Sequence, residues 1–426
     1  MSVPVSAIPA SIAMARSPIF VTGKNNAVSG DTLESMTCDI KIYTGGFTAG
    51  GTNDYELSKE YSIQNVINFE ISDLIREQFL HPFGKAFIVE PSASETGEVL
   101  WVYPYGDWYY NNAGGGVVSG EWNQPEEVAP YEFIALDGYK SLGEQQNAGV
   151  TQGNLVTLRP FQVLAGNYQS LPVSYNTYSG VNGFSIEING VEYWFSLKDE
   201  LGWSNTTTTT TQMVIYIPSG VANIATFLGV TPTDEYTINL LVNNECVSYN
   251  DRVKSDGGVV EGFNCLCEAV DALGGNDDKI AHNFEVICEP KYDPYLIQFV
   301  NKYGVSDYLT FFKKSTEQGN FTQDQYQKSI YADGFTNINY VNGKYQSFNI
   351  NSRNTLTLNT GFVDESYGAI MEEILMSEKV AVYEDGQWVA IVPNRGTIDY
   401  QKSINDKTIN YTMSFIYAFD QRMLVR

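Results

Sequence analysis

The chain of 426 residues is long enough for about two to four domains that each bury a core of their own. Its residues are 43% hydrophobic, 13% aromatic and only 18% charged, which excludes a disordered polypeptide. The formal net charge of −25 also disfavours direct binding to nucleic acid, because an acidic surface repels phosphate.

The aromatic content comes from 29 Tyr and 22 Phe, and such residues favour β structure and extensive protein interfaces. We predict a mainly β fold of several β-sandwich-like domains with a few short helices. The expected domains are residues 1–145, 146–290 and 291–426, all three of them β domains, and the last contains the one long helix.

Near the N-terminus, short apolar runs separated by Gly, Asn and Ser predict consecutive antiparallel strands. In one run Ile40 and Ile42 share a face with Thr44, whereas Lys41 and Tyr43 take the other face. This alternation predicts a half-buried strand whose second face meets solvent.

A short helix is predicted over residues 72–80, ending before Pro82. Ser72 is the expected N-cap because its hydroxyl can accept a hydrogen bond from the first turn. His81 follows the helix, and we expect it to cap or pack rather than to catalyse.

An aromatic cluster follows the helix, between residues 97 and 145. It contains Trp101, Trp108, Tyr109, Tyr110 and Trp122. Such side chains stack on sugar rings in carbohydrate sites, but they are equally expected in a sheet core or a subunit interface. Core or interface is the favoured interpretation, because no convergent set of polar groups accompanies them.

Two hairpins are predicted from turn dipeptides flanked by alternating apolar residues. They turn at Asn189-Gly190 and at Asp385-Gly386. These pairs favour two-residue turns because both positions must accept positive φ.

The longest predicted helix covers residues from about 364 to 378. Its apolar stripe consists of Ile370, Met371, Ile374 and Leu375, at the spacing of one helical face. Glu372 and Glu373 are expected on the opposite, solvated face, and Asp364 and Glu365 near the positive end of the helix dipole. The stripe is expected to face the core.

No catalytic site is predicted. Both histidines lie outside recognisable motifs, and the chain has no nucleophile elbow, zinc-protease helix, P-loop or dinucleotide-binding glycine pattern. The adjacent carboxylates Glu126 and Glu127, and Glu372 and Glu373, are interpreted as solvated surface. We therefore expect a protein that is not an enzyme. A glycosidase or peptidoglycan hydrolase stays an alternative, since two carboxylates suffice for that chemistry.

No metal or cofactor site is predicted either. Cys265 and Cys267 are separated by one residue instead of the two of a zinc knuckle, and the nearby imidazole is His282. Residues 274–279 lack the ligand spacing of a calcium loop and indicate a polar turn. Five cysteines, an odd number, favour folding in a reducing compartment.

The N-terminal residues 1–20 do not have the pattern of a signal peptide, and no apolar run reaches the length of a membrane span. We expect a protein without membrane insertion that assembles in the cytoplasm. The threonine-rich residues 205–211 predict a loop or an exposed strand edge, and their glycosylation triplet is attributed to chance.

Several segments resemble tail structural proteins of crAss-like and related Bacteroidetes phages. The C-terminal ones are YLIQFVNKYGVSDYLTFFKKS, TGFVDES…EEILMSEKVAVYEDGQWVAIVP and YQKSINDKTINYTMSFIYAFDQRMLVR. The N-terminal ones are SPIFVTG and IKIYTGG…YELSKEY…FEISDLIREQF. Residues 90–285 carry no such resemblance.

The resemblance implies a virion protein of β-sandwich domains, arranged as a tail ring or hub around the DNA channel with sixfold or twelvefold symmetry. Its partners would be copies of itself and other tail proteins, and DNA would pass without specific binding. No catalytic residue is implied. The alternative is a virion module that binds a receptor or a carbohydrate through the aromatic cluster.

Overall fold

The computed structural model describes residues 5–7, 12–24, 32–44, 54–60, 66–81, 83–93, 97–111, 114–122, 132–140, 157, 162–176, 181–196, 212–242, 248–249, 252–253, 259–260, 264–265, 278–287, 291–328, 343–363, 365–395 and 409–419. It confirms a mainly β fold of several sheets with few helices. Two compact units are present, the first formed by Met1–Glu289 with Val300–Tyr308 and the second by Pro290–Phe299 with Leu309–Arg426. The three-domain division stays a prediction.

The first unit contains most of the strands. They are β1 Val5–Ala7, β2 Ile12–Met14, β3 Phe20–Lys24, β4 Thr32–Thr44, β5 Tyr55–Glu60, β6 Val66–Glu70, β7 Ser92–Ala93, β8 Leu100–Asn111, β9 Val117–Trp122, β10 Phe133–Leu136, β11 Gln162–Leu164, β12 Ser170–Asn176, β13 Val181–Ile188, β14 Val191–Ser196, β15 Gln212–Pro218, β16 Glu235–Val242, β17 Ser248–Tyr249, β18 Arg252–Val253, β19 Val259–Val260, β20 Asn264–Cys265 and β21 Asp278–Ile287. Its helices are α1 Ser72–Arg76, a 3-10 turn Lys85–Phe87 and α2 Val221–Leu228.

Two sheets enclose the first core. The sheet β1-β3-β6 supplies Val21 and Phe69, and the six-stranded sheet around β8 and β4 supplies Cys38 and Ile40. The predicted strands near the N-terminus pair antiparallel, as expected. Cys38 is a free, buried thiol, and burial and the nearby Asp39 raise its pKa to about 12.

Both faces of β4 are covered, so the prediction that its second face meets solvent is wrong. Lys41 is buried, with Nζ 5.2 Å from the centre of the Tyr105 ring. Tyr43 packs against a separate apolar cluster that includes Trp101 and Tyr216. The alternation of apolar and polar residues within β4 could not reveal this second layer, because the layer is formed by residues distant in the sequence.

The helix after β6 is shorter than predicted, since α1 spans only Ser72–Arg76. Ser72 is not its N-cap: Ile71 occupies that position, and the Ser72 hydroxyl instead donates to Glu70 Oε1 at 3.2 Å. Ile75 anchors the helix in the first core.

A second sandwich packs the five-stranded sheet β11-β21-β16-β13-β14 and helix α2 against the sheet β12-β15-β7. The predicted hairpin joins β13 to β14. Asn189 and Gly190 both have positive φ, and Ile188 pairs with Val191 across the turn. This prediction is confirmed.

The second unit is built on one sheet in the order β23-β22-β26-β27-β28-β25-β24. The strands of this sheet are β22 Tyr295–Val300, β23 Ser306–Phe311, β24 Thr316–Gln327, β25 Tyr345–Val363, β26 Val380–Glu384, β27 Gln387–Pro393 and β28 Ile409–Tyr417. Val300 and the first three residues of β23 are counted with the first unit. The hairpin at Asp385-Gly386 is confirmed, since both residues have positive φ and Glu384 pairs with Gln387.

Helix α3 covers the core of this sheet and spans Tyr367–Met376, inside the predicted range. Ile370, Met371 and Ile374 are buried in the core as expected. The prediction for Glu373 is wrong, because its side chain is only 3% exposed. Residue 373 lies one turn after Ile370, so a wide apolar face includes it. Asp364 lies outside the described residues.

A buried ion-pair network closes one edge of the first sandwich. Strands β2 and β10 run parallel with Met14 opposite Leu136, so the residues that follow them meet at the same edge. Arg16 donates from Nε and Nη2 to the two carboxylate oxygens of Asp137 at 2.9 and 2.8 Å, and His81 Nε2 lies 2.8 Å from Oδ2. His81 therefore packs and bonds, in line with its expected structural role.

Asp137→Asn should lower the free energy of unfolding at neutral pH by about 2–4 kcal/mol, because it leaves a largely buried guanidinium without its carboxylate. Burial raises the pKa of Asp137, but the bonds from His81 and Arg16 outweigh it and hold the pKa below its usual value. The carboxylate therefore stabilises the fold above its ordinary pKa, and this contribution is lost as the pH falls through the lowered pKa. Urea unfolding across the acid range should show a flatter pH dependence for the variant.

Asp73→Asn is the matched control, since Asp73 is 91% exposed and lies 3.8 Å from Arg76. Its effect should stay below about 1 kcal/mol. Equal destabilisation by the two variants would contradict the structural role of the network.

Candidate functional site

The most exposed regular structure in the second unit is a two-stranded ribbon at the edge of its sheet. All twelve residues of β24 are exposed. Residues 345–351 of β25 are exposed wherever their side chains are described. The strands pair from Thr316 opposite Thr357 out to Gln327 opposite Tyr345. We call residues 316–328 with 343–357 the ribbon.

The ribbon places large apolar side chains in solvent. They are Phe321, Tyr326, Tyr345, Phe348 and Ile350, with Phe321 70% and Tyr345 60% exposed. The rings of Tyr326 and Phe348 meet edge to face, with centroids 5.6 Å apart. Several exposed apolar side chains on one ribbon typically mark an interaction site.

Cross-strand polar bonds keep the two strands of the ribbon in register. The Tyr326 hydroxyl donates to Gln346 Oε1 at 2.7 Å, and Lys328 Nζ donates to the same oxygen at 2.9 Å. Nearer the sheet, Asn320 Nδ2 donates to Thr355 Oγ1 at 2.7 Å. These bonds hold the aromatic residues on a paired scaffold, although the register of the two strands shifts between Thr322 and Asp324.

An acidic cleft of about 540 Å³ lies where the ribbon leaves the sheet. Its lining comprises the carboxylates of Asp293, Glu317, Glu384 and Asp385, the rings of Tyr295, Tyr383, Tyr417 and Phe419, and Pro294, Asn354 and Val389. Carboxylates and aromatic faces together suit a cationic group. Among the described residues no cluster has the geometry of a metal site.

Hydrogen bonds organise two of the cleft carboxylates. The Tyr417 hydroxyl donates to both carboxylate oxygens of Glu384, at 2.7 and 2.9 Å. Burial, this hydrogen bond and the charge of Glu384 raise the pKa of Tyr417, so the phenol stays a proton donor. Asn354 Nδ2 donates to Glu317 Oε1.

The aromatic cluster predicted between residues 97 and 145 belongs to the core. Trp101, Trp108, Tyr110 and Trp122 are each less than 10% exposed, and Tyr109 is half-buried. Trp108 packs so closely on Gly120 that a Cβ there would lie 2.1 Å from Cζ2. The four buried rings offer no open face for a sugar, which agrees with the predicted location in a sheet core.

The remaining candidates that the structure describes do not converge on a site. His282 is half-buried on β21 opposite Ile238, and burial lowers its pKa. Glu372 is exposed, as predicted, unlike its neighbour on α3. Glu126, Glu127 and Cys267, and the segments 205–211 and 274–277, lie outside the described residues.

Sequence reasoning missed the ribbon. Its strands read TEQGNFTQDQYQ and YQSFNINSRNTLT, which are polar segments with scattered aromatics. The available signal was that Phe and Tyr recur in segments without enough apolar residues to bury them.

Comparison with protein-family models, with curated proteins and with solved structures finds no match for this chain. Within the described residues no helix is long and apolar enough to span a membrane.

Trp122→Ala should lower the free energy of unfolding by about 3–5 kcal/mol, as expected for a buried aromatic residue. Trp122 is fully buried and donates from Nε1 to the Thr37 carbonyl at 3.1 Å. Phe321→Ala, at a 70% exposed position, should change stability by less than about 1 kcal/mol. Denaturant unfolding followed by circular dichroism measures both. A stable Trp122→Ala protein that has lost binding on a glycan array would contradict the core assignment.

Proposed function

We propose that this chain is a structural subunit of a bacteriophage tail, a ring or hub component that acts by assembling with copies of itself and by docking other tail proteins. The observation that carries the proposal is the exposed aromatic ribbon of the second unit. Tyr and Phe are enriched in protein interfaces, and a partner would remove these side chains from water.

The resemblance of the N- and C-terminal segments to tail proteins of crAss-like phages supports the phage assignment. These segments include strands β22, β26, β27 and β28 and helix α3, which build the sheet that carries the ribbon. The mainly β architecture of packed sheets suits a rigid ring component.

The net charge of −25 suits a protein near a DNA channel that must not retain DNA. An acidic wall repels phosphate, so DNA would pass without binding. In this proposal the protein resides in the virion tail after assembly in the host cytoplasm.

A receptor- or carbohydrate-binding function has lost its main support, because the tryptophans on which it depended are buried. We propose no catalytic role, and no cofactor is required.

Electron microscopy and mass photometry of the purified full-length protein test the proposal. At micromolar concentration we expect the purified protein to form ring-shaped oligomers with sixfold or twelvefold symmetry. In intact virions, we expect antibodies against the protein to label the tail. A protein that stays monomeric and is missing from virions would overturn the proposal. So would turnover of host cell-wall substrate on a zymogram by the monomer.

A further inference from the structure

The outer end of the ribbon combines positive charge with aromatic rings. The Lys328 N–H donates to the Lys344 carbonyl at 2.9 Å and so brings the two lysines together. Lys344 Nζ lies 5.7 Å from the centre of the Tyr345 ring, and Tyr326 and Phe348 are close by on the same strands. We call these five residues the tip.

The cleft at the base of the ribbon has the complementary chemistry. It is lined by four acidic residues and three tyrosines, whereas the tip has two lysines and three aromatic residues. Charge pairs and ring contacts of this kind are what a specific protein interface uses.

A tip cannot fill the cleft of its own molecule while the ribbon stays regular. Glu317 lines the cleft and Gln327 lies at the far end of the same strand. At about 3.3 Å per residue, the strand places them about 30 Å apart. A tip that fills this cleft must therefore come from another molecule.

The charge distribution favours a second copy of this chain. The ribbon has three basic residues, Lys328, Lys344 and Arg353, against two acidic ones, Glu317 and Asp324. The whole chain has a net charge of −25, so copies repel one another at most surfaces. The tip is a place where one copy attracts another.

We propose that the ribbon tip of one copy docks in the acidic cleft of the next copy. The contact is heterologous, because different surfaces of the two copies meet, and a repeated heterologous contact closes into a ring when its rotation permits. The inference rests on the proposed self-assembly and names the surfaces that carry it.

Two variants separate the halves of the contact. The tip variant is Lys328→Glu with Lys344→Glu, and the cleft variant is Asp293→Lys with Asp385→Asn. Asp385 has positive φ, which asparagine accepts, so the hairpin turn is preserved. Each variant alone should weaken assembly about tenfold or more in mass photometry, with unchanged circular dichroism and thermal unfolding.

An equimolar mixture of the two variants is the sharper test. In the mixture an intact tip meets an intact cleft, and the two substituted surfaces meet with exchanged charges, so assembly should recover in part compared with either variant alone. A chain with both Lys344→Glu and Asp293→Lys should recover part of the assembly, because the charges are exchanged across the contact.

Lys314→Glu with Lys379→Glu is the control, since both lysines are exposed in the same unit and the charge change equals that of the tip variant. It should assemble like the wild type. If both test variants still form the same rings as the wild type, the proposed contact is wrong, but the proposed function stands. A wild-type protein that never assembles would overturn the proposed function itself.

Discussion

A two-stranded β-ribbon leaves most of its large side chains in solvent, because neither face has a second layer to pack against. In the second unit, helix α3 covers the sheet as far as Leu356 on β25. Farther out, Phe321 and Tyr345 lie in solvent. Cross-strand bonds such as that from Tyr326 to Gln346 order the ribbon. Its apolar side chains nevertheless stay exposed to solvent unless another molecule covers them. The proposed assembly follows from this constraint.

Electrostatics decides which kinds of contact such a chain can form. With twice as many acidic as basic residues, two copies gain little by meeting at arbitrary surfaces and are repelled at most of them. The ribbon differs from the rest of the chain because it has more basic than acidic residues. The cleft at the base of the ribbon, in contrast, contains four acidic residues. The separation of the two along one β-strand gives the subunit a direction, as a head-to-tail ring requires. The first unit contains two apolar cores and the Arg16–Asp137–His81 network.

Much of the fold could be predicted from the sequence because it depends on local chemistry. Both hairpins followed from turn residues that accept positive φ, and α3 followed from the spacing of Ile370 and Ile374. Burial was less predictable, because it depends on which layer a distant segment places over a face. Lys41 and Glu373 were expected in solvent and are buried. The ribbon was missed for the same reason. A polar strand with scattered aromatic residues cannot be distinguished from an ordinary edge strand unless the segment that packs over it is known.

A side-chain-resolution electron cryomicroscopy map of the assembled particle tests the central claim most directly, because it shows what covers the ribbon. The account predicts that Phe321, Tyr345 and Phe348 are buried against a neighbouring copy throughout the ring. An assembled particle in which these three side chains face open solvent would contradict it.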